Sequence, residues 1–283
     1  MKRIKSLSLC LIFSLAVVAG FTSCDETTVN NGRSASIQVK LTDAPANYDA
    51  VTIDIREVRL HRNADEEIDS AETDEEAEEE GWITILKEPL EVNLLDLTNG
   101  NDITLGSTEL EPGTYSQLRF ILGNNNTVTV DGDVLPLTTP SAQQSGLKLK
   151  LNTEIEAGAT YTLLVDFDAA RSIVKAGNSG KYLLKPVLHA VNLAETGSIS
   201  GNVQPGVTDS TDVKTHVMAV ANDDTLSTIT ADNGDFKIIG LLPATYEVIF
   251  DAGGNLYANV TIPGVEVAAN EETEIDTVRL QQQ

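Results

Sequence analysis

The chain contains 283 residues, of which 43 are acidic, 19 are Lys or Arg and two are cysteine. The formal net charge of −24 argues against a nucleic-acid-binding protein, because phosphate binding needs clustered Lys and Arg. Two cysteines are too few for a disulfide-stapled miniprotein or a cysteine-rich zinc module. A hydrophobic fraction of 41% is sufficient for folded cores, and the length suits one large or two ordinary domains.

Residues 1–23 have the parts of a secretory signal peptide. Lys2, Arg3 and Lys5 form a basic start, and residues 7–20 form an apolar run. This run is shorter than the roughly 20 residues that a membrane-spanning helix needs, and no later run reaches that length. The sequence therefore predicts a protein that is exported and tethered to a membrane rather than embedded in one.

The predicted cleavage site resembles the lipobox of bacterial lipoproteins. Phe21-Thr22-Ser23 precedes Cys24, the residue that such proteins acylate and expose as the new N-terminus. Phe21 replaces the usual leucine, as it does in the looser lipoboxes of Bacteroidetes-type bacteria. No cysteine follows Cys24, so acylation would leave no reactive thiol in the mature chain. The resemblance implies an outer-membrane lipoprotein of the cell envelope, periplasmic or surface-exposed, and ordinary cleavage that leaves a thiol is the alternative.

After a flexible polar tether at residues 24–33, the hydrophobic pattern has the two-residue period of β-strands. Between Val51 and Leu60 the alternation changes parity near Arg56, which predicts either one strand with a β-bulge or two separate strands. Asp131-Gly132 lies between two alternating segments and predicts a tight hairpin.

The fold class is predicted to be all-β, with at most one or two short helices. Asp168 is suited to cap one helix over residues 169–175, and Gly177 follows its end. Short strands separated by Gly, Asn-Gly or Pro-Gly turns resume after a boundary near Glu195-Thr196. We therefore predict two tandem β-sandwich domains, residues 34–194 and 195–283, after a cleaved lipoprotein signal peptide.

The two predicted domains share a short sequence repeat, which we call the Pro–Tyr repeat. Pro112 precedes Tyr115 in the first domain, and Pro243 precedes Tyr246 at the same spacing in the second. In each case proline presets φ in a turn, and the strand that follows the turn carries a tyrosine that faces the core. The Pro–Tyr repeat favours related sandwich topologies for the two domains.

The first domain resembles a family of bacterial lipoproteins, domain of unknown function 4382, over about residues 34–193. The resemblance rests on four segments: Leu41-Thr42-Asp43-Ala44-Pro45, Leu94-Leu95-Asp96-Leu97, Ser141 to Leu149, and Tyr182-Leu183-Leu184-Lys185-Pro186. It implies a fold class and an envelope location, and it brings no known activity.

Residues 197–280 resemble the carboxypeptidase regulatory-like domain, a transthyretin-like sandwich. The resemblance rests on Gly201-Asn202-Val203, Thr228 to Thr230, Asp232 to Phe236, and Leu241 to Tyr246. Ala244 stands where glycine is usual. In this pattern the Asn-Gly hairpin and the Pro–Tyr segment are structural, and the carbohydrate-binding-like character of the fold implies a glycan ligand by analogy only.

Residues 65–80 contain eleven acids in sixteen positions and no base. Such dense like charge predicts a solvated loop between two strands. A functional interpretation is weak binding of divalent cations or docking to a basic partner. The run lacks the spaced ligands and the turn glycine of a specific calcium site.

The candidate chemistry is sparse, and we predict no catalytic residue, no metal site and no cofactor. His61, His189 and His216 fall in different predicted strands, and the sequence has neither a nucleophile elbow nor a glycine-rich phosphate loop. Trp82 and Tyr257 are the candidate ligand-contact aromatics, although core or edge packing explains each of them more readily.

The sequence therefore predicts a membrane-anchored envelope lipoprotein that is not an enzyme. It would act as a binding or scaffolding module, with a glycan or an envelope protein as partner and no nucleic acid. The alternatives are an envelope hydrolase or accessory enzyme that uses acidic residues, and a structural adhesin subunit in which a β edge pairs with another chain.

Overall fold

A computed structural model describes residues 34–63, 81–139, 146–177, 179–206, 213–222, 224–253 and 257–282. The predicted signal peptide, the acylation site at Cys24, the tether and the acidic residues 65–80 lie outside the described residues. Within the described part of the chain, no helix is long and apolar enough to cross a membrane.

The first half of the fold is built from thirteen of the described strands, which form two sheets. The strands are β1 (Ala35–Ala44), β2 (Ala50–Arg62), β3 (Trp82–Leu86), β4 (Leu90–Asn93), β5 (Ile103–Leu110), β6 (Gly113–Leu122), β7 (Thr127–Val130), β8 (Asp133–Thr138), β9 (Leu147–Ile155), β10 (Thr160–Asp168), β11 (Ile173–Lys175), β12 (Tyr182–Leu184) and β13 (Leu188–Asn192). One sheet has the order β13-β10-β1-β5. The other has nine strands in the order β11-β12-β8-β7-β2-β6-β9, with β3 and β4 also paired to β2.

The inward faces of these two sheets supply one hydrophobic core, as the alternating pattern predicts. In β2 the parity change is confirmed as a bulge within a single strand. Ile55 is paired with Leu122 and Glu57 with Ile121, so Arg56 is the extra residue that returns Val58 to the core.

The predicted hairpin between β7 and β8 is confirmed. Asp131 and Gly132 form its turn with φ values of 51° and 83°. Both angles lie in the left-handed region that a two-residue turn of this kind needs, and Asp and Gly tolerate that region better than most residues.

The helix is shorter than predicted. Helix α1 (Ala169–Ser172) begins after Asp168, whose Oδ1 accepts a hydrogen bond from the Arg171 amide at 2.8 Å, so the predicted cap is confirmed. The predicted extension to residue 175 is wrong, because residues 173–175 form β11 and are paired with β12. β-Branched Ile173 and Val174 favour a strand over a helix.

The second half of the fold is a smaller sandwich with its own hydrophobic core. Its described strands are β14 (Gly197–Pro205), β15 (His216–Ala221), β16 (Asp224–Ile229), β17 (Asp235–Leu241), β18 (Ala244–Asp251), β19 (Val260–Val267) and β20 (Glu272–Leu280). They form the sheets β17-β14-β20 and β16-β15-β18-β19. The fold is all-β as predicted, and the exact domain division near Glu195 stays a prediction.

Two turn assignments in this half are corrected. Pro263-Gly264 lies inside β19, where it bulges opposite Glu247 with Gly264 at φ 77°, and does not end the strand. The Asp232–Asp235 segment is a turn as predicted but not a hairpin, because it connects β16 of one sheet to β17 of the other.

The Pro–Tyr repeat forms the same local structure in both halves of the fold. The hydroxyl of Tyr115 donates to the Glu111 carbonyl at 2.9 Å, and the hydroxyl of Tyr246 donates to the Leu242 carbonyl at 2.8 Å. Both rings are buried in their respective cores. Each hydrogen bond joins the tyrosine to the residue four positions earlier, on the other side of the proline turn. The bond therefore holds the turn against the start of the strand, as in the tyrosine corners of Greek-key sandwiches.

Candidate functional site

The outer face of the nine-stranded sheet carries a group of basic side chains, which we call the basic face. It consists of Arg59, His61, Arg119, Lys148 and Lys150, with Gln117 and Trp82 beside them. Strand alternation places these residues outward, because the residues between them face the core: Leu118 and Phe120 flank Arg119, and leucines flank both lysines.

Strand register brings the bases into rows across the sheet. Arg59 of β2 is opposite Arg119 of β6, which is opposite Lys148 of β9. In the next row His61 is opposite Gln117, which is opposite Lys150. Directly opposed side chains lie about 5 Å apart at Cβ, and like charges at that distance destabilise the sheet.

Arg119 is at the centre of the basic face and is only 7% exposed. Its guanidinium carbon lies 4.1 Å from the centroid of the Trp82 ring, a cation–π contact. Its Nε has no hydrogen-bond partner, and no carboxylate of the described residues forms an ion pair with it. Burying a charged group without a counter-ion costs several kcal/mol, which a cation–π contact offsets only in part.

The residues around Arg119 differ in exposure. Arg59 forms an ion pair with Glu57 at 2.5 Å, whereas Lys148 and Lys150 are exposed. Trp82 is half-buried, and its ring centroid lies 4.8 Å from that of His61. The face thus combines one aromatic ring, one buried guanidinium and two lysines that reach solvent.

The structure does not bring the two aromatic candidates together. Trp82 lies on the basic face, whereas Tyr257 is 3% exposed and belongs to the core of the second sandwich. The ligand-contact roles of both residues stay predictions. The three histidines are also separated: His61 lies on the basic face, His189 lines the junction between the sandwiches, and His216 begins β15.

A second polar cluster lies where the two sandwiches meet. Strands β1 and β10 run parallel, so Asp43, Asp166 and Asp168 collect near the carboxyl ends of both. Asp43 is 4% exposed; its Oδ1 accepts a hydrogen bond from the Ala169 amide at 3.0 Å, and its Oδ2 has no partner.

Burial shifts the titration of two of these carboxyls upward. It raises the pKa of Asp43 to about 9, and the charges of Asp166 and Asp168 add to the effect. Burial also raises the pKa of Asp166 to about 7, with Asp168 raising it further and Arg171 lowering it. Asp43 is therefore protonated at neutral pH and can donate a hydrogen bond.

The junction is held by the turn at Asn99, which has a φ of 60°. The Asn99 amide donates to Thr228 Oγ1 at 2.8 Å, and its side-chain oxygen accepts from the Lys237 amide at 2.7 Å. The cavity beside it, lined by Asp43, Asp166 and residues of the second sandwich, has a volume of ≈ 20 Å³. That is room for about one water molecule, so the cluster serves packing between the sandwiches and does not form a substrate pocket.

Among the residues that the structure describes, no group of three or more His, Cys, Asp or Glu side chains is arranged to hold a metal ion. The prediction of weak divalent-cation binding at residues 65–80 falls outside this part of the chain.

Sequence reasoning did not identify Arg119, Lys148 and Lys150 as a site, nor the pair Asp43 and Asp166. The available signal was the alternation of strands β6 and β9, in which a base stands between core-facing residues. That alternation shows which side chains share a face of one strand. It does not show which strands are neighbours, so the rows were not predictable.

Several solved structures show partial likeness to the chain. A type II cohesin–X–dockerin complex from Acetivibrio cellulolyticus matches with 26% identity and a TM-score of 0.25, over 30% of this chain and 58% of that one. A protein from Bacteroides uniformis described as carbohydrate binding matches with 17% identity and a TM-score of 0.24, over 30% and 41% of the two chains.

The minor pilin of Streptococcus agalactiae matches over 87% of this chain and 96% of its own, with 10% identity and a TM-score of 0.23. The matched region of the cohesin complex spans little more than half of that chain. Likeness at these scores carries no argument about function.

A search among curated proteins gives no match. The first sandwich, in contrast, matches a family described as domain of unknown function (DUF4382) over residues 34–186. This match covers more than half of the chain and includes every strand of the nine-stranded sheet and three of the four strands of the other sheet. The chain therefore belongs to the DUF4382 family.

Proposed function

We propose that this protein is a lipid-anchored component of the cell envelope that binds a glycan, without catalysis, through the basic face. The observation that carries the proposal is the stack of Arg119 on Trp82, on the outer face of the nine-stranded sheet and beside two exposed lysines in a strongly acidic chain. An aromatic ring with adjacent hydrogen-bond donors suits a sugar, which offers both apolar faces and hydroxyl groups.

In this proposal the remaining parts of the chain support that face. Acylated Cys24 anchors the protein on the periplasmic or outer surface of the outer membrane, and residues 24–33 are the tether. Residues 197–280 resemble a carboxypeptidase regulatory-like domain. They stabilise the first sandwich through hydrogen bonds to Asn99. The acidic residues 65–80 bind divalent cations weakly.

The proposal is tested by affinity electrophoresis of the full chain in detergent micelles. The gels contain one soluble polysaccharide each, from a panel of neutral and acidic polymers. We expect retardation in at least one gel and its loss in Trp82→Ala, because alanine removes both the ring and the support of Arg119. Val134→Ala, at a 67% exposed position on β8, is the control and should migrate as wild type.

Two results would contradict the proposal. One is migration of the wild-type chain that no polysaccharide in the panel retards. The other is retardation that Trp82→Ala leaves unchanged, since binding would then take place away from the basic face.

A further inference from the structure

The charge of Arg119 has no counter-ion within the described protein. Arg119 is 7% exposed as a residue, its guanidinium contacts the Trp82 ring, and its Nε has no hydrogen-bond partner. Gly146 fits closely above the stem of Arg119, since a Cβ at that glycine would lie 2.7 Å from Arg119 Cγ. The guanidinium is thus held in place with unused hydrogen-bonding capacity.

The neighbours of Arg119 add positive charge in a defined direction. Arg59, Arg119 and Lys148 form a row perpendicular to the strands, at a spacing of about 4.8 Å from one strand to the next. Glu57 pairs with Arg59 at one end, and no carboxylate of the described residues pairs with Lys148 at the other. An anion laid along the row would remove repulsion that the sheet otherwise bears.

We propose that the basic face binds an extended, carboxylated polysaccharide, a polymer of uronic acids, with one carboxylate on the Arg119 guanidinium. This inference rests on the proposed function and names the ligand class for the same face. The planar guanidinium fork matches a carboxylate in geometry, and it is more weakly hydrated than an ammonium group.

The shape and charge of the site favour a polymer of this kind over other anions. A row across neighbouring strands fits an extended chain with charges at regular intervals, whereas a single small anion is better held in a pocket. The protein carries a net charge of −24, so a single-chain polymer with one charge per sugar is repelled less than double-stranded DNA, which carries one charge per about 1.7 Å of its axis.

Calorimetry of the full chain in detergent micelles tests the inference, with polygalacturonate as the probe. Dextran is the neutral comparison polymer, and dextran sulfate is the sulfated one. Arg119→Met keeps an apolar stem against Trp82 but removes the charge. We expect it to weaken polygalacturonate binding at least about tenfold, the loss that corresponds to one charge-assisted hydrogen bond.

Two further variants are controls for misfolding and for general effects of net charge. Lys148→Met changes an exposed residue of the row, so it should fold normally and weaken binding about two- to threefold. Lys181→Met makes the same change in net charge at an exposed position outside the row and should bind as wild type. Thermal unfolding of every variant shows whether it is folded.

The outcomes separate this inference from the proposed function. Binding of dextran that depends on Trp82 but not on Arg119 would refute the uronate ligand and leave the proposed function standing. Tighter binding of dextran sulfate than of polygalacturonate would assign the row to sulfate esters instead. If no polysaccharide binds any variant, both proposals fail.

Discussion

Between pH 5 and pH 7, the free energy of unfolding is expected to fall as the pH rises, by on the order of 5 kcal/mol. The fall comes from Asp43 and Asp166, whose pKa values in the folded protein are about 9 and about 7, against an ordinary value of 3.8. Burial is the first cause of both shifts. The effect is measured by chemical denaturation at several pH values.

The sign follows from proton linkage. A folded state with raised carboxyl pKa values holds protons that the unfolded chain releases, so these groups contribute their full stability below about pH 4. That contribution declines as the pH rises, until it is lost near pH 7 for Asp166 and near pH 9 for Asp43. Each group that takes up a proton on folding contributes a slope of about 1.4 kcal/mol per pH unit.

The matched variants are asparagine substitutions. Asp43→Asn with Asp166→Asn mimics the protonated acids, and the amide oxygen that replaces Oδ1 of Asp43 can still accept from the Ala169 amide. This double variant should be more stable than wild type at pH 7 and show a shallower slope. Asp133→Asn with Asp276→Asn changes net charge equally at exposed positions and should keep the wild-type slope. An unchanged slope in the first double variant would show that the junction carboxyls are not the source.

Membrane association is expected to be lost entirely in Cys24→Ala. Lipid chains supply roughly 0.8 kcal/mol per buried CH₂, and several chains on one cysteine anchor a protein firmly. The described residues contain no helix that could span a membrane in their place. The measurement is radiolabelled palmitate incorporation together with the fraction of protein in washed membranes.

Cys10→Ala is the control for this experiment, because Cys10 lies within the apolar run of the predicted signal peptide. It should keep both the label and the membrane location. Label that persists in Cys24→Ala would place the acyl group elsewhere and remove the anchor from the proposed function.

Local patterns in the sequence were sufficient to predict the strand content and several irregularities. The parity change near Arg56 predicted either a bulge or two strands, of which the structure has the bulge, and Asp131-Gly132 predicted the β7–β8 turn. Both depend on interactions between residues close in sequence, such as φ preferences and the two-residue period.

The features that were not predicted depend on distant pairing. The segment at residues 173–175 is a strand because β12 is its neighbour, and Pro263-Gly264 is a bulge because β18 continues past it. The basic face needs the register of β2, β6 and β9, which are far apart in the chain. Tertiary pairing of this kind overrides local propensity, and the sequence pattern does not encode it directly.

The most direct test of the central claim is hydrogen exchange of the full chain with and without polygalacturonate. Strand β9 is an edge strand of the nine-stranded sheet and bears two of the bases, so its amides report on a ligand at the basic face. We expect slower exchange with ligand at residues 147–155 and 82–86, with no change in β19 and β20. Protection confined to the second sandwich, with β3 and β9 unchanged, would contradict it.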